Sequence, residues 1–136
     1  MSQNSFLLAE ARVAGQSRHP AADARRTVAE VLDGVAGHSE RARADAELVV
    51  TELVSNAVRH GGGLVALRVA VTPDGTGLSL EIEDAGRDRP QARRALGEDP
   101  YRAGGFGWPI VLRLATSVDV EDLPGGKRIQ VVLPLS

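Results

Sequence analysis

Residues 52–61 read Glu52-Leu53-Val54-Ser55-Asn56-Ala57-Val58-Arg59-His60-Gly61 and have the pattern of the last turns of an α-helix. At about 100° per residue, four polar side chains fall on one face of this helix and an apolar stripe faces away from them. The polar residues are Glu52, Asn56, Arg59 and His60, and the apolar ones are Val50, Leu53, Ala57 and, less squarely, Val54. A carboxylate and a carboxamide one turn apart can share a hard cation and its waters, because both offer oxygen ligands. Taken alone, the pattern fits a solvated polar face equally well.

The composition indicates one globular domain. A chain of 136 residues with 43% hydrophobic and 25% charged residues suits a single core, and with only 3% aromatic residues this core must be aliphatic. The net charge of -2 argues against a general nucleic-acid binder. The absence of cysteine excludes disulfides and thiolate metal sites. Since no signal peptide or membrane-spanning apolar run is recognisable, we expect a cytoplasmic protein without membrane contact.

Apolar periodicity predicts helices in the first half of the chain and mainly strands in the second. Helices are expected at about 20–33, from a Ser39 cap to Arg59 or His60, and from Trp108 to about Ala115. Strands are expected at 5–13, 64–72, 78–84, 116–122 and 127–135, with an Asp-Gly hairpin turn at 73–77. The fold class that follows is α+β, a two-layer sandwich of a mainly antiparallel sheet with helices on one face.

The strand at 78–84 ends in an acidic residue on its apolar side. Its sequence, Leu-Ser-Leu-Glu-Ile-Glu-Asp, places the aliphatic residues on one face, and Asp84 shares their parity. A carboxylate on a buried face is costly unless it finds a hydrogen-bond donor. Asp84 therefore either accepts from an exocyclic amine such as that of adenine, with Gly86 letting the ring approach the backbone, or caps a turn after a shorter strand.

Two glycine-rich segments follow. Gly104-Gly105-Phe106-Gly107 runs into the helix that opens at Trp108-Pro109, where backbone amides and a helix N-terminus can meet phosphate. Glycine turns before helices are common, so such a segment taken alone is more often a plain turn than a phosphate-binding site. The segment Gly125-Gly126-Lys127-Arg128-Ile129, taken alone, is a hairpin turn. The sequence contains no P-loop and no dinucleotide-binding fingerprint.

In this order the motifs resemble the GHKL (histidine-kinase-like) ATP-binding superfamily. The resemblance rests on Glu52-x-x-x-Asn56-Ala-x-x-His60-Gly61, on Asp84-x-Gly86, on Gly105-x-Gly107 opening a helix, and on a glycine turn before the last strand. Residues 52–61 are most similar to the anti-sigma-factor serine/threonine kinase branch. The resemblance covers roughly residues 5–135. It implies a Bergerat-type fold, a single ATP-binding domain over residues 1–136, and a lid at about 87–103.

The resemblance also implies roles for the residues of the predicted helix. Asn56 would be the ligand of Mg2+, which bridges the phosphates of ATP. Glu52 would be the general base that orients or deprotonates the attacking hydroxyl group. Arg59 and His60 either contact phosphate or only solvate the helix face.

The remaining roles fall on the acid and on the glycines. Asp84 would bind the adenine amine, and Gly86 would line the ring. The phosphates would meet the backbone at Gly104, Gly105 and Gly107.

The sequence departs from the family's pattern at three places. Trp108-Pro109 stands where the family commonly has an aliphatic residue and no proline, and Lys127-Arg128 stands where it often has a threonine near the adenine. The expected lid is rich in arginine, with Arg87, Arg89, Arg93, Arg94 and Arg102. The first two departures bear on nucleotide affinity.

Three functions are compatible with these features. The leading one is an ATP-dependent anti-sigma-type serine/threonine kinase that phosphorylates a serine of an antagonist protein and sequesters a sigma factor, which implies a homodimer. The second is a non-catalytic interaction module of the same fold with weak or absent ATP binding. The third is an ATP hydrolase or a detached sensor-kinase catalytic domain. A complete sensor histidine kinase is not expected, because the sequence has no dimerisation helix pair and His19-Pro20 lacks the context of a phosphoacceptor.

Overall fold

The computed structural model describes residues 10–14, 17–60, 63–86 and 107–136, which together form three helices and five strands. The elements in chain order are β1 (Glu10–Ala14), α1 (Pro20–Asp33), α2 (Glu40–His60), β2 (Leu64–Val71), β3 (Gly77–Asp84), α3 (Gly107–Leu114), β4 (Ser117–Leu123) and β5 (Gly126–Pro134). The predicted helices agree with these bounds to within about one residue. Of the strand expected at 5–13, residues 10–13 lie in β1 and residues 5–9 are outside the described residues.

The strands form one sheet in the order β1-β2-β3-β5-β4, and every neighbouring pair is antiparallel. The predicted α+β fold with an antiparallel sheet is therefore confirmed. β2 lies inside the sheet, and the middle strand is β3. This position makes the end of β3 a neighbour of both the start of β2 and the start of β5.

The core lies between the helices and one face of the sheet. The apolar stripe of α2 is almost fully buried. Val54, whose direction on the helix fits this stripe less closely than the others, is 0% exposed. The stripe packs with alternate residues of the middle strands, which are Leu78, Leu80, Ile82, Ile129, Val131 and Leu133. Trp108 of α3 joins this otherwise aliphatic core. Because strand side chains alternate, the residues between these positions face away from the helices.

The local signals in the sequence act as predicted at the caps and turns. The Ser39 hydroxyl accepts a hydrogen bond from the amide of Ala42 at 3.0 Å and caps α2. In the β2–β3 turn, the carboxylate of Asp74 accepts from the amide of Thr76 and from the hydroxyls of Thr72 and Thr76. These hydrogen bonds, the Thr76 amide first, hold the pKa of Asp74 below its ordinary value.

The face of the sheet away from the helices carries a charged cluster. The Arg128 guanidinium on β5 lies 3.0 Å from a carboxylate oxygen of Glu121 on β4 and 3.7 Å from those of Glu81 and Glu83 on β3. Its side chain is 34% exposed. No helix among the described residues has the length and apolar character needed to cross a membrane.

Candidate functional site

Glu52 lies against the first residue of α3. A Cβ atom added to Gly107 would clash with Oε2 of Glu52 and would lie 3.0 Å from its Cδ. The bare backbone of Gly107 therefore makes room for the Glu52 carboxylate. The N-terminus of a helix carries partial positive charge, so it stabilises a carboxylate held there.

Asn56 lies one turn further along α2, on the same side as Glu52. Both side chains are half-buried, at the border between the buried stripe of the helix and solvent. The helix period that buries Leu53 and Ala57 is what turns these two polar residues toward a common space. We call Glu52, Asn56 and Gly107 the metal end of the site, after the Mg2+ that the family resemblance would assign to Asn56.

Asp84 is in β3, and its side chain points to the buried side of the sheet. The Asp84 side chain is 4% exposed. Its Oδ1 accepts a hydrogen bond from the Lys127 ammonium at 2.9 Å and another from the amide of Gly86 at 3.0 Å. The donor that the sequence required is thus present within the chain. The hydrogen bond from the Gly86 amide forms a turn, as in the alternative interpretation, but β3 includes Asp84 and is not the shorter strand which that interpretation required. We call Asp84, Gly86 and Lys127 the base end of the site, after the nucleobase that the family resemblance would assign to Asp84 and Gly86.

The backbone fixes the geometry of the base end. Asp84 and Lys127 are directly opposite each other in the β3–β5 register. β5 begins so close to β3 that a Cβ on Gly126 would clash with the carbonyl oxygen of Asp84 and lie 2.9 Å from its carbonyl carbon. On the other side, the amide of Ala85 donates to the carbonyl of Gly63 at 3.1 Å, which ties the end of β3 to the segment after α2.

The structure does not bring all predicted site residues together. Arg59 is exposed and lines a surface cavity of about 300 Å³ between the start of α1 and the end of α2. None of the other predicted site residues lines this cavity. Gly104, Gly105 and the expected lid at 87–103 lie outside the described residues, as does the side chain of His60.

Sequence reasoning missed Lys127 as the partner of Asp84. Two signals could have indicated it. Lys127 has the same strand parity as Ile129 and Val131, so a strand starting at 126 turns it to the buried face. It is also the only lysine in the chain. In the structure it is only 3% exposed.

The donors at the metal end fit Mg2+ and phosphate. Among the residues that the structure describes, no group of three or more His, Cys, Asp or Glu side chains could hold a metal ion by itself. Mg2+ usually takes one or two protein oxygens and completes its shell with water and substrate phosphates. The side-chain oxygens of Asn56 and Glu52 match that mode, and the amides at the N-terminus of α3 suit phosphate. At the base end, by contrast, the acceptor for an amine is already bound to an ammonium.

Comparisons with known proteins agree with the fold. The family described as "Histidine kinase-like ATPase domain" matches residues 15–133. The chain is similar to the structure of the RsbU and RsbW domains of Rv1364c from Mycobacterium tuberculosis, with 19% identity, a TM-score of 0.66, and 93% of this chain and 32% of that chain covered. It is also similar to the Erythrobacter litoralis EL346 blue-light activated histidine kinase, with 24% identity, a TM-score of 0.50, and 71% of this chain and 31% of that chain covered.

Both structures are longer than this chain, which spans about a third of each. At these identities the two structures establish a shared fold. No curated protein matches the sequence.

Proposed function

Because the chain belongs to the histidine kinase-like ATPase domain family, which implies ATP binding, we propose that it is an ATP-dependent protein serine/threonine kinase of the anti-sigma-factor type. It would transfer the γ-phosphoryl group of ATP to a serine of an antagonist protein and would sequester a sigma factor. The proposal includes a homodimer in the cytoplasm and treats residues 1–136 as one ATP-binding domain. The sequence of residues 52–61 supports this branch of the family over the others.

The contact between Glu52 and Gly107 is the observation that carries the proposal. It holds a half-buried carboxylate beside the N-terminus of α3, where the phosphates of a nucleotide would meet backbone amides. A phosphoryl acceptor hydroxyl brought to this point would lie within reach of a base. Phosphoryl transfer requires positioning and charge stabilisation more than covalent chemistry from the protein, so a fixed carboxylate is sufficient.

The other roles follow the two ends of the site. Asn56 would hold Mg2+, which neutralises charge on the phosphates when it is bound. Asp84 and Gly86 would receive the adenine. Gly104, Gly105 and Gly107 would meet the phosphates, and residues 87–103 would cover them.

The base end favours a second candidate function, a non-catalytic interaction module. Asp84 is the residue that would select adenine, and its Oδ1 already binds Lys127 and the amide of Gly86. A domain that keeps this fold while its own lysine fills the base end would bind ATP weakly and act through its surface.

Nucleotide binding and phosphoryl transfer by three α2 variants distinguish these functions. A ligand at 100 times its dissociation constant stabilises a protein by about 2.7 kcal/mol, so millimolar Mg-ATP should raise the unfolding temperature of the wild type measurably. Asn56→Ala should lose this shift. Glu52→Ala should keep the rise in unfolding temperature with Mg-ATP. It should lose transfer of radiolabelled phosphate to candidate antagonist proteins, because it removes only the general base.

Ser55→Ala is the matched control, since Ser55 is also half-buried on α2 but faces the Arg59 cavity. It should behave as the wild type in both assays. No thermal shift with Mg-ATP in the wild type would favour the interaction module, and transfer retained by Glu52→Ala would remove Glu52 from the mechanism.

A further inference from the structure

Lys127 is the only lysine in a chain that has sixteen Lys and Arg residues in total. The chain therefore uses arginine for every other cation of this kind, on exposed helices and on the charged face of the sheet alike. A lysine ammonium differs from a guanidinium in being a compact nitrogen with three rotatable donors. At this one buried position the chain carries the side chain whose end most resembles an amine.

The ammonium sits where a bound amine would be expected. Its nitrogen lies 2.9 Å from Oδ1 of Asp84 and 3.4 Å from the carbonyl oxygen of Gly86. These are the two residues assigned above to the adenine amine and ring. A nitrogen within hydrogen-bond distance of a carboxylate, beside the backbone that would line the ring, has the position and the donor character of the exocyclic amine of adenine.

The arrangement is built into the sheet. Lys127 is held directly opposite Asp84 by the β3–β5 register, and the close approach of Gly126 to the backbone of Asp84 leaves little freedom at this point. Both side chains are almost completely buried, at 3% and 4% exposed. A buried carboxylate needs a partner, so it is satisfied either by Lys127 or by a ligand that replaces it.

We propose that Lys127 is a specificity-determining residue whose ammonium occupies the subsite of the adenine amine, so that a nucleotide must displace it and binds chiefly through its triphosphate. The inference rests on the proposed ATP site and adds to it the class of nucleotide. A site that hydrogen-bonds a substrate group rejects the analogue that lacks the group, because its own polar atoms are then left unpaired. Here a base of either kind has to displace Lys127 from Asp84, and the N–H groups of the displaced ammonium can donate to the 6-keto oxygen of guanine. Wild-type protein should therefore discriminate weakly between ATP and GTP.

Lys127→Thr tests this proposal. A threonine hydroxyl can still donate to Asp84 but leaves room for a base. Calorimetric titration of the full chain with Mg-ATP should give a dissociation constant about tenfold lower in Lys127→Thr than in the wild type, the size of one charge-assisted hydrogen bond that no longer competes. The preference for ATP over GTP should rise by about tenfold or more, since Asp84 has then lost its cation and favours the amine donor of adenine over the keto group of guanine.

Arg128→Thr is the matched control. It removes a cation from the neighbouring position, but the Arg128 side chain lies on the other face of the sheet with Glu81, Glu83 and Glu121. Its affinity for either nucleotide should equal that of the wild type. If the wild type binds Mg-ATP and Lys127→Thr binds it no more tightly, the role of Lys127 is overturned while the ATP site stands. If no folded variant binds either nucleotide, the proposed function itself fails.

A second measurement needs no variant. Because the chain has one lysine, labelling with [15N]lysine gives a single side-chain ammonium resonance. We expect the signal of the buried, exchange-protected ammonium in the nucleotide-free protein and its loss on saturation with Mg-ATP. An ammonium resonance unchanged at saturation would show that Lys127 stays on Asp84, and this outcome would contradict the proposal even if Lys127→Thr did not fold.

Discussion

Two charged pairs join β3 to β5 at adjacent positions, Asp84 with Lys127 and Glu83 with Arg128, and they lie on opposite faces of the sheet. The first pair is almost fully buried, with a single nitrogen–oxygen contact of 2.9 Å. In the second, Arg128, whose side chain is 34% exposed, is shared by Glu81, Glu83 and Glu121. Adjacent positions on one strand thus carry a buried pair, in which each charge is stabilised by its partner, and a partly exposed cluster, in which the charges are also stabilised by water.

The difference matters because the desolvation of the two pairs is unequal. A buried charge that loses its partner cannot recover hydration, whereas an exposed one exchanges its partner for water at little cost. For the same reason, only in the buried pair must a ligand that displaces one partner supply a hydrogen-bonding group for the other. The proposed nucleotide site lies on the face toward the helices, and the pairs on the opposite face are expected to contribute only modestly to stability.

The largest effect on stability is expected for Lys127→Met. This change keeps the volume of the side chain and leaves the Asp84 carboxylate buried without its cation. We expect a loss of about 3–5 kcal/mol in the free energy of unfolding. The measurement is urea denaturation followed by circular dichroism.

The double variant Asp84→Asn with Lys127→Met is the control for that loss. Replacing both members of a buried pair by neutral groups is often close to neutral, so most of the lost stability should return. If Lys127→Met alone costs less than about 1 kcal/mol, as exposed pairs do, the base end is hydrated and the contrast between the two faces is wrong.

The neighbouring change, Arg128→Met, should cost no more than about 1 kcal/mol, the range measured for exposed ion pairs. The loss should shrink further at high salt, because screening weakens interactions between exposed charges. Comparing urea midpoints at low and high salt for Arg128→Met and Lys127→Met separates the two cases. An effect of Arg128→Met as large as that of Lys127→Met, and independent of salt, would contradict the comparison.

The sequence predicted the placement of Glu52 and Asn56 better than the surroundings of Asp84. Glu52 and Asn56 are four residues apart on one helix, and helical periodicity together with the Ser39 cap is enough to place them on a common face. Their position depends on local rules, which a single sequence contains. The contact of Glu52 with Gly107 was outside that reach, because it depends on how α3 docks on α2.

The base end depends on long-range register. Strand alternation predicted that Asp84 needs a donor, but Lys127 is 43 residues away and its pairing is fixed by the β3–β5 register. A shift of that register by one residue would place Arg128 opposite Asp84 and turn Lys127 to the other face. Trp108 is a similar case: it was identified as a departure from the family's pattern, and the packing of α3 places it in the core.

Asp74, at the turn between β2 and β3, is a third kind of carboxylate, with neither burial nor a cation among its hydrogen-bond partners. Hydrogen bonds from Thr76 and Thr72 hold its pKa below the ordinary value, so it binds protons less readily in the folded chain than in the unfolded one. Its contribution to stability is therefore present above the unfolded pKa and is lost as the pH falls through the folded pKa.

We expect Asp74→Ala to lower the urea midpoint slightly at neutral pH, which is the smallest effect of the three single changes at Lys127, Arg128 and Asp74. The difference in midpoint from the wild type should narrow as the pH falls below about 4. Asp74→Asn keeps an acceptor without a charge, so its gap from Asp74→Ala should not change with pH in the same way. A gap between the wild type and Asp74→Ala that is constant through the acid range would mean that the turn is stabilised by its shape, and that charge matters to this sheet only where it is buried.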